Sequence, residues 1–185
     1  MQEVLQDFEQ FFAKLCKHMG EDSNREGLKD TPKRIIESFQ TLFGGYVQNP
    51  KELLGATFEE GLCDEMVIAK NIEFYSMCEH HLLPFFGHIS IGYIPDKHLA
   101  GISSLVRLVE SFARRLQIQE RLTEQIAQCL LEVLQPKGVI VVCEAQHLCM
   151  SMRGVRKNPQ IITSALRGLF KRDPKTRAEF MQLIQ

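Results

Sequence analysis

Four consecutive residues, Cys78-Glu79-His80-His81, set a thiol, a carboxylate and two imidazoles side by side. Cys78 and His81 are separated by two residues, a spacing that lets a tight turn aim both side chains at one metal ion. A second group, His147-Leu148-Cys149, lies far along the chain. With residues 139–153 extended, His147, Cys149 and Arg153 share one face of a strand, while Leu148, Met150 and Met152 share the other, core-facing side. Cys78, His81 and Cys149 then make three protein ligands for zinc. The fourth position is left to water, as in a catalytic rather than a structural site. A neighbour of His81 in extended structure points away from the metal, so His80 is free to serve a substrate. Cys16, Cys63, Cys129 and Cys143 have no such company and read as small buried hydrophobes. His18, His88 and His98 stand alone.

Anion binding is the second chemistry in reach. Gly101-Ile102-Ser103-Ser104 opens a helical pattern, and backbone N–H groups at a helix N-terminus suit a phosphate. Ser103 and Arg107 lie one helical turn apart, and Arg153 has the strand parity to face the same cavity as Cys149. In Gln119-Glu120 a carboxylate placed in a pocket accepts from both the N1–H and the exocyclic amine of guanine, a pair that adenine does not offer.

The elements that position these residues follow from periodicity. Val4, Leu5, Phe8, Phe11, Phe12 and Leu15 predict a helix over residues 1–19, stopped by Gly20. Thr31, as N-cap before Pro32, starts a second, with Ile35, Ile36, Phe39, Leu42 and Phe43 inward, ended by Gly44-Gly45. Residues 46–62 read as a connector, giving an N-terminal helical segment with connector over 1–60 and a catalytic domain over 61–185. Met66–Tyr75 and Phe86–Ile94 read as strands flanking the Cys-Glu-His-His turn, with Pro95-Asp96 in a loop. Two helices follow. The first starts near Ser103 with Leu105, Val106, Val109, Phe112, Ala113 and Leu116 on its stripe. The second starts near Glu120 with Leu122, Ile126, Cys129, Leu130 and Val133, and Pro136-Lys137-Gly138 ends it. Val139–Met152 and Ile161–Phe170 are further strands, and Asp173-Pro174 opens a last helix with Phe180 and Leu183 inward. The order is α+β with an antiparallel sheet.

Composition sets the outer limits. At 185 residues, 44% hydrophobic and 24% charged, the chain is one ordinary globular domain with an appended piece. A net charge of −1 gives no support for nucleic-acid or membrane-surface binding. Acids at Glu3, Asp7 and Glu9 exclude a signal peptide, no apolar run reaches a membrane span, and six thiols in no dense framework fit a reducing, cytoplasmic compartment. A zinc nucleobase deaminase needs His-x-Glu and Pro-Cys-x-x-Cys, and neither occurs.

Taken together, several ordered motifs resemble the GTP cyclohydrolase I family. They are Cys78-Glu79-His80-His81, Gly92-Tyr93-Ile94-Pro95, Gly101-Ile102-Ser103, Gln117-Ile118-Gln119-Glu120-Arg121-Leu122-Thr123, Glu144-Ala145-Gln146-His147-Leu148-Cys149 and Met152-Arg153-Gly154-Val155. The resemblance implies a tunnelling fold: an antiparallel sheet with two packed helices, closed by many subunits into an oligomeric barrel, in a toroidal homodecamer with sites at subunit interfaces. It implies Zn2+ on Cys78, His81 and Cys149, and acid–base work by His80, His147 and Ser103. Gln119 and Glu120 would bind guanine. Ser103, Arg107 and Arg153 match triphosphate-binding positions, Ile102 would also bind substrate, and Arg34 would reach in from a neighbour. The implied reaction opens the imidazole ring of GTP, giving 7,8-dihydroneopterin triphosphate and formate, the entry to pterin and tetrahydrofolate synthesis. One departure stands out: the family usually carries lysine after the serine matched by Ser103, and this chain has Ser104.

Overall fold

The computed structural model describes residues 2–55, 57–58 and 63–185. It divides into two compact units, Met1–Gly44 and Gly45–Gln185. The residues of the expected connector at 56 and 59–62 lie outside the described part.

The first unit is helical: α1 (Gln2–Met19), α2 (Glu26–Lys29) and α3 (Thr31–Leu42). Asp30 rather than Thr31 is the residue before α3, and Pro32 occupies its first turn, where a missing N–H costs nothing. α1 and α3 pack on each other, and Cys16 of α1 is buried, its carbonyl accepting from the Glu21 N–H at 2.8 Å. Much of the apolar stripe of α1 stays open: Val4, Phe11 and Leu15 are exposed.

The second unit is built on a five-stranded sheet of order β5-β2-β3-β6-β7. Its strands are β2 (Val67–Cys78), β3 (Pro84–Ile94), β5 (Leu116–Gln117), β6 (Gly138–His147) and β7 (Ile161–Gly168), while β1 (Thr57–Phe58) pairs with β4 (Leu99–Ala100). All pairings are antiparallel except the short β2–β5 edge. Alternation on β3 decides the faces: Ile89, Ile91 and Tyr93 go into the core, and His88 is exposed. Two helices, α5 (Ile102–Ala113) and α6 (Gln119–Leu134), close that core with Leu105, Leu108, Val109, Leu122, Ile126 and Leu130. Val106, expected on the buried stripe, is exposed because Leu108 takes the inward place. A smaller cluster on the other face packs Ile140 and Val142 against Phe170 and against Phe180 of the last helix (Pro174–Leu183). Leu183, expected inward, points out.

Two strands are shorter than their sequence pattern suggests. β7 stops at Gly168, whose φ of 58° turns the chain into the one-turn helix Leu169–Arg172. β6 stops at His147, and Leu148–Ser151 forms a helical turn that the Met152 N–H closes on the Leu148 carbonyl at 3.1 Å. Strand parity therefore places neither Cys149 nor Arg153. Met152, expected in the core, is exposed.

Candidate metal centre

The turn between β2 and β3 is locked by the backbone. The Cys78 N–H donates to the Leu83 carbonyl at 2.9 Å, and the Leu82 N–H returns to the Cys78 carbonyl at 2.9 Å. Leu82 takes φ 53°, the positive value needed to reverse the chain so tightly. The Glu79 N–H donates to the Gln117 carbonyl at 3.0 Å, and β5 runs parallel to β2 with Cys78 opposite Gln117. That pairing brings the start of α6, with Gln119 and Glu120, beside the turn. The Glu79 carboxylate pairs with Arg121, which also donates to Gln117 and to the Leu116 carbonyl, and the hydrogen bond from Arg121, helped by its charge, holds the Glu79 carboxyl below its usual range.

The one-turn helix after β6 swings Cys149 to the same place. Donor atoms of Cys78, His81 and Cys149 all lie within 4.8 Å of one another. In a tetrahedral site with bonds of about 2.0–2.3 Å, donors sit roughly 3.3–3.8 Å apart, so small side-chain shifts complete the coordination. The donor chemistry fits a divalent cation. Burial and the adjacent Cys78 thiol both push the Cys149 thiol up, with Arg153 pulling it the other way. Two thiols set against each other resist a second negative charge unless a cation sits between them. Cys78 is buried, Cys149 half-buried and His81 exposed, which leaves one side of the group open.

His80 does not point away. Within the turn its Nδ1 lies 3.8 Å from the Cys78 sulfur, as close as His81 Nδ1 at 3.9 Å, with the two imidazole rings near perpendicular. The expectation assumed an extended chain where a turn stands.

His147 is held at the end of β6, two residues before Cys149. Its Nε2 lies 2.8 Å from Gln119 Oε1, and its ring stacks on Phe85 with centroids 4.8 Å apart and planes at 2°. Burial pushes its imidazole down, against the charge of Glu120. Phe85 carried no signal in the sequence. It reaches His147 because β3 and β6 pair with those two residues opposite each other.

Other expected site residues stand apart. On α5, Ile102, Ser103 and Arg107 form an exposed stripe, and among the described residues no hydrogen bond or ion pair joins Ser103 or Arg107 to the cysteine–histidine group. Arg34 belongs to the helical unit, where it donates to Asp30 at 3.5 Å. Ser104 is 3% exposed and faces the core, so a lysine at this position would be buried within this chain rather than added to a phosphate site. Cys129 and Cys143 are buried as expected, with thiols pushed up by burial to about 11 and about 12, whereas Cys63 is exposed.

Comparison with known proteins bears on the same residues. The profile of the GTP cyclohydrolase I family matches residues 8–185. The chain is similar to GTP cyclohydrolase 1 of Wolinella succinogenes (63% identity over 178 residues, 96% of this chain and 95% of the relative). It is also similar to the same enzyme of Helicobacter pylori strain G27, at 61% over 178 residues, covering 96% and 99%. For Helicobacter hepaticus the values are 61% over 175 residues, 95% and 85%. With a metal-competent cysteine–histidine group in place and likeness over nearly the whole length, the chain belongs to the GTP cyclohydrolase I family.

Proposed function

We propose that this chain carries out its family's reaction at a zinc ion held by Cys78, His81 and Cys149. The reaction opens the imidazole ring of GTP hydrolytically and yields 7,8-dihydroneopterin triphosphate and formate. The carrying observation is the convergence of two thiols and an imidazole from distant segments within 4.8 Å, with the histidine exposed. Zinc bound there would supply the Lewis acidity that makes attack of water on a purine ring carbon accessible near neutral pH.

The other requirements fall to the chain's own groups. Opening the ring needs a proton at N7, and His147, fixed between Gln119 and Phe85 beside the metal group, is the residue for it. His80, on the same turn as the ligands, and Ser103 serve the later transfers during ribose opening and ring closure. Glu120 is exposed on the first turn of α6 and offers two acceptor oxygens to the N1–H and amine of guanine. Gln119 is assigned to the base with it by family resemblance. The triphosphate falls to Arg107, Arg153 and the backbone N–H groups of Ile102 and Ser103, with Arg34 from a neighbouring chain and no lysine at position 104. The charge of Arg153 reaches the Cys149 thiol, opposing but not reversing the upward push of burial and of Cys78.

The exposed stripe of Ile102, Ser103, Val106 and Arg107 mixes apolar and anion-binding groups. It suits a face completed by another copy, in the toroidal decamer of a tunnelling fold. No described helix is long and apolar enough to cross a membrane, and a cytoplasmic location goes with the unpaired cysteines.

Incubation with GTP, with and without a zinc chelator, tests the reading. Formate and a fluorescent oxidised pterin should appear together and stop together when the metal is removed. Turnover that survives complete metal removal contradicts it.

A further inference from the structure

The side-chain amide of Gln119 is hydrogen-bonded at both its nitrogen and its oxygen. It sits at the start of α6 and is 2% exposed. Its Nε2 donates to the Cys143 carbonyl and to the Ile161 carbonyl, each at 3.0 Å, on the adjacent strands β6 and β7. With both amide hydrogens on those carbonyls, the group has one workable orientation. Its Oε1, 2.8 Å from Nε2 of His147, then has only lone pairs to offer, so the shared proton belongs to the imidazole. Phe85, fully buried, fixes the ring plane from the side.

We propose that Gln119 is a positioning residue that holds His147 in the Nε2–H tautomer and turns Nδ1 toward the substrate. This rests on the proton-transfer role given to His147 above and deepens it. It narrows the assignment of Gln119 to the base, since its side chain keeps no amide hydrogen for a ligand. An imidazole free to turn over presents either nitrogen. A glutamine that is itself anchored at both hydrogens removes that choice before substrate binds, as partners of working histidines do elsewhere.

The tautomer is directly measurable. Magic-angle-spinning 15N spectra of the full-length, metal-loaded chain labelled at histidine identify the His147 signals as those missing from His147→Asn. The expected spectrum has Nε2 protonated and Nδ1 bare. In Gln119→Met, of similar length and without hydrogen bonds, both tautomers should appear. Its kcat for GTP should fall on the order of tenfold or more, with KM within about twofold and metal content unchanged. A wild-type His147 protonated at Nδ1 overturns the proposal. So does a Gln119→Met enzyme with unchanged kcat and raised KM, which assigns Gln119 to the base instead. Should that variant not fold, the wild-type spectrum still decides. A His147→Asn enzyme with full kcat overturns the proton-transfer role itself, a failure distinct from a wrong tautomer.

Discussion

Backbone hydrogen bonds set most of the expected site residues: a strand-to-strand turn for Cys78 and His81, the end of β6 for His147 and a helical turn for Cys149. Glu120 is the exception: it stands exposed at the head of α6, held by no partner among the described residues. An unpaired carboxylate there is free to take the two adjacent guanine donors, and leaving those unpaired in a closed site costs about 1–3 kcal/mol each. Glu120→Gln should therefore lose most kcat/KM for GTP, and an unchanged value moves base recognition elsewhere. The buried thiols give a second residue-level test. Cys129 and Cys143, pushed up to about 11 and about 12, stay neutral in the fold, so iodoacetamide should label Cys63 and spare both in native protein. A folded pKa above the unfolded one favours the folded state below the unfolded value near 9. That contribution is lost as pH rises toward 11–12, and the denaturant midpoint should fall over that range. The ligand types were legible in the sequence, because few other residues bind soft metals. The reason offered for Cys149 was not the operative one, since a helical turn rather than strand parity brings it in.

At the scale of elements, the antiparallel strands and the two covering helices followed from periodicity and punctuation. Their ends did not, because a strand's last residue depends on which partner continues to pair. The β3–β6 contact is the clearest case. Gly87 lies opposite Ala145, and a Cβ added there would sit 1.9 Å from the Glu144 carbonyl oxygen and 2.8 Å from the Ala145 Cα. Backbone cannot yield as a side-chain tip does. Gly87→Ala should destabilise the chain by about 1–3 kcal/mol, or roughly 2–4 °C in Tm for each kcal/mol. It should also disturb the stacking of Phe85 on His147, two residues along the same strand. An unchanged Tm contradicts the tight strand approach. The glycine was visible in the sequence, but nothing there revealed what its missing Cβ makes room for.

At the scale of the whole molecule, one chain carries the cysteine–histidine group, while on α5 Ser103 and Arg107 are exposed and, among the described residues, make no hydrogen bond or ion pair to it. A shared site predicts complementation. Arg107→Ala and Cys149→Ala chains, each inactive alone, should regain turnover when unfolded and refolded together, and no recovery would argue for a site within one chain. The most direct measurement of the central claim is zinc content alongside formate release for the unmodified chain and for Cys149→Ala. We predict one zinc per chain in the first, and loss of both zinc and formate release in the second. A Cys149→Ala protein that keeps its full metal content and still releases formate from GTP would contradict the assignment.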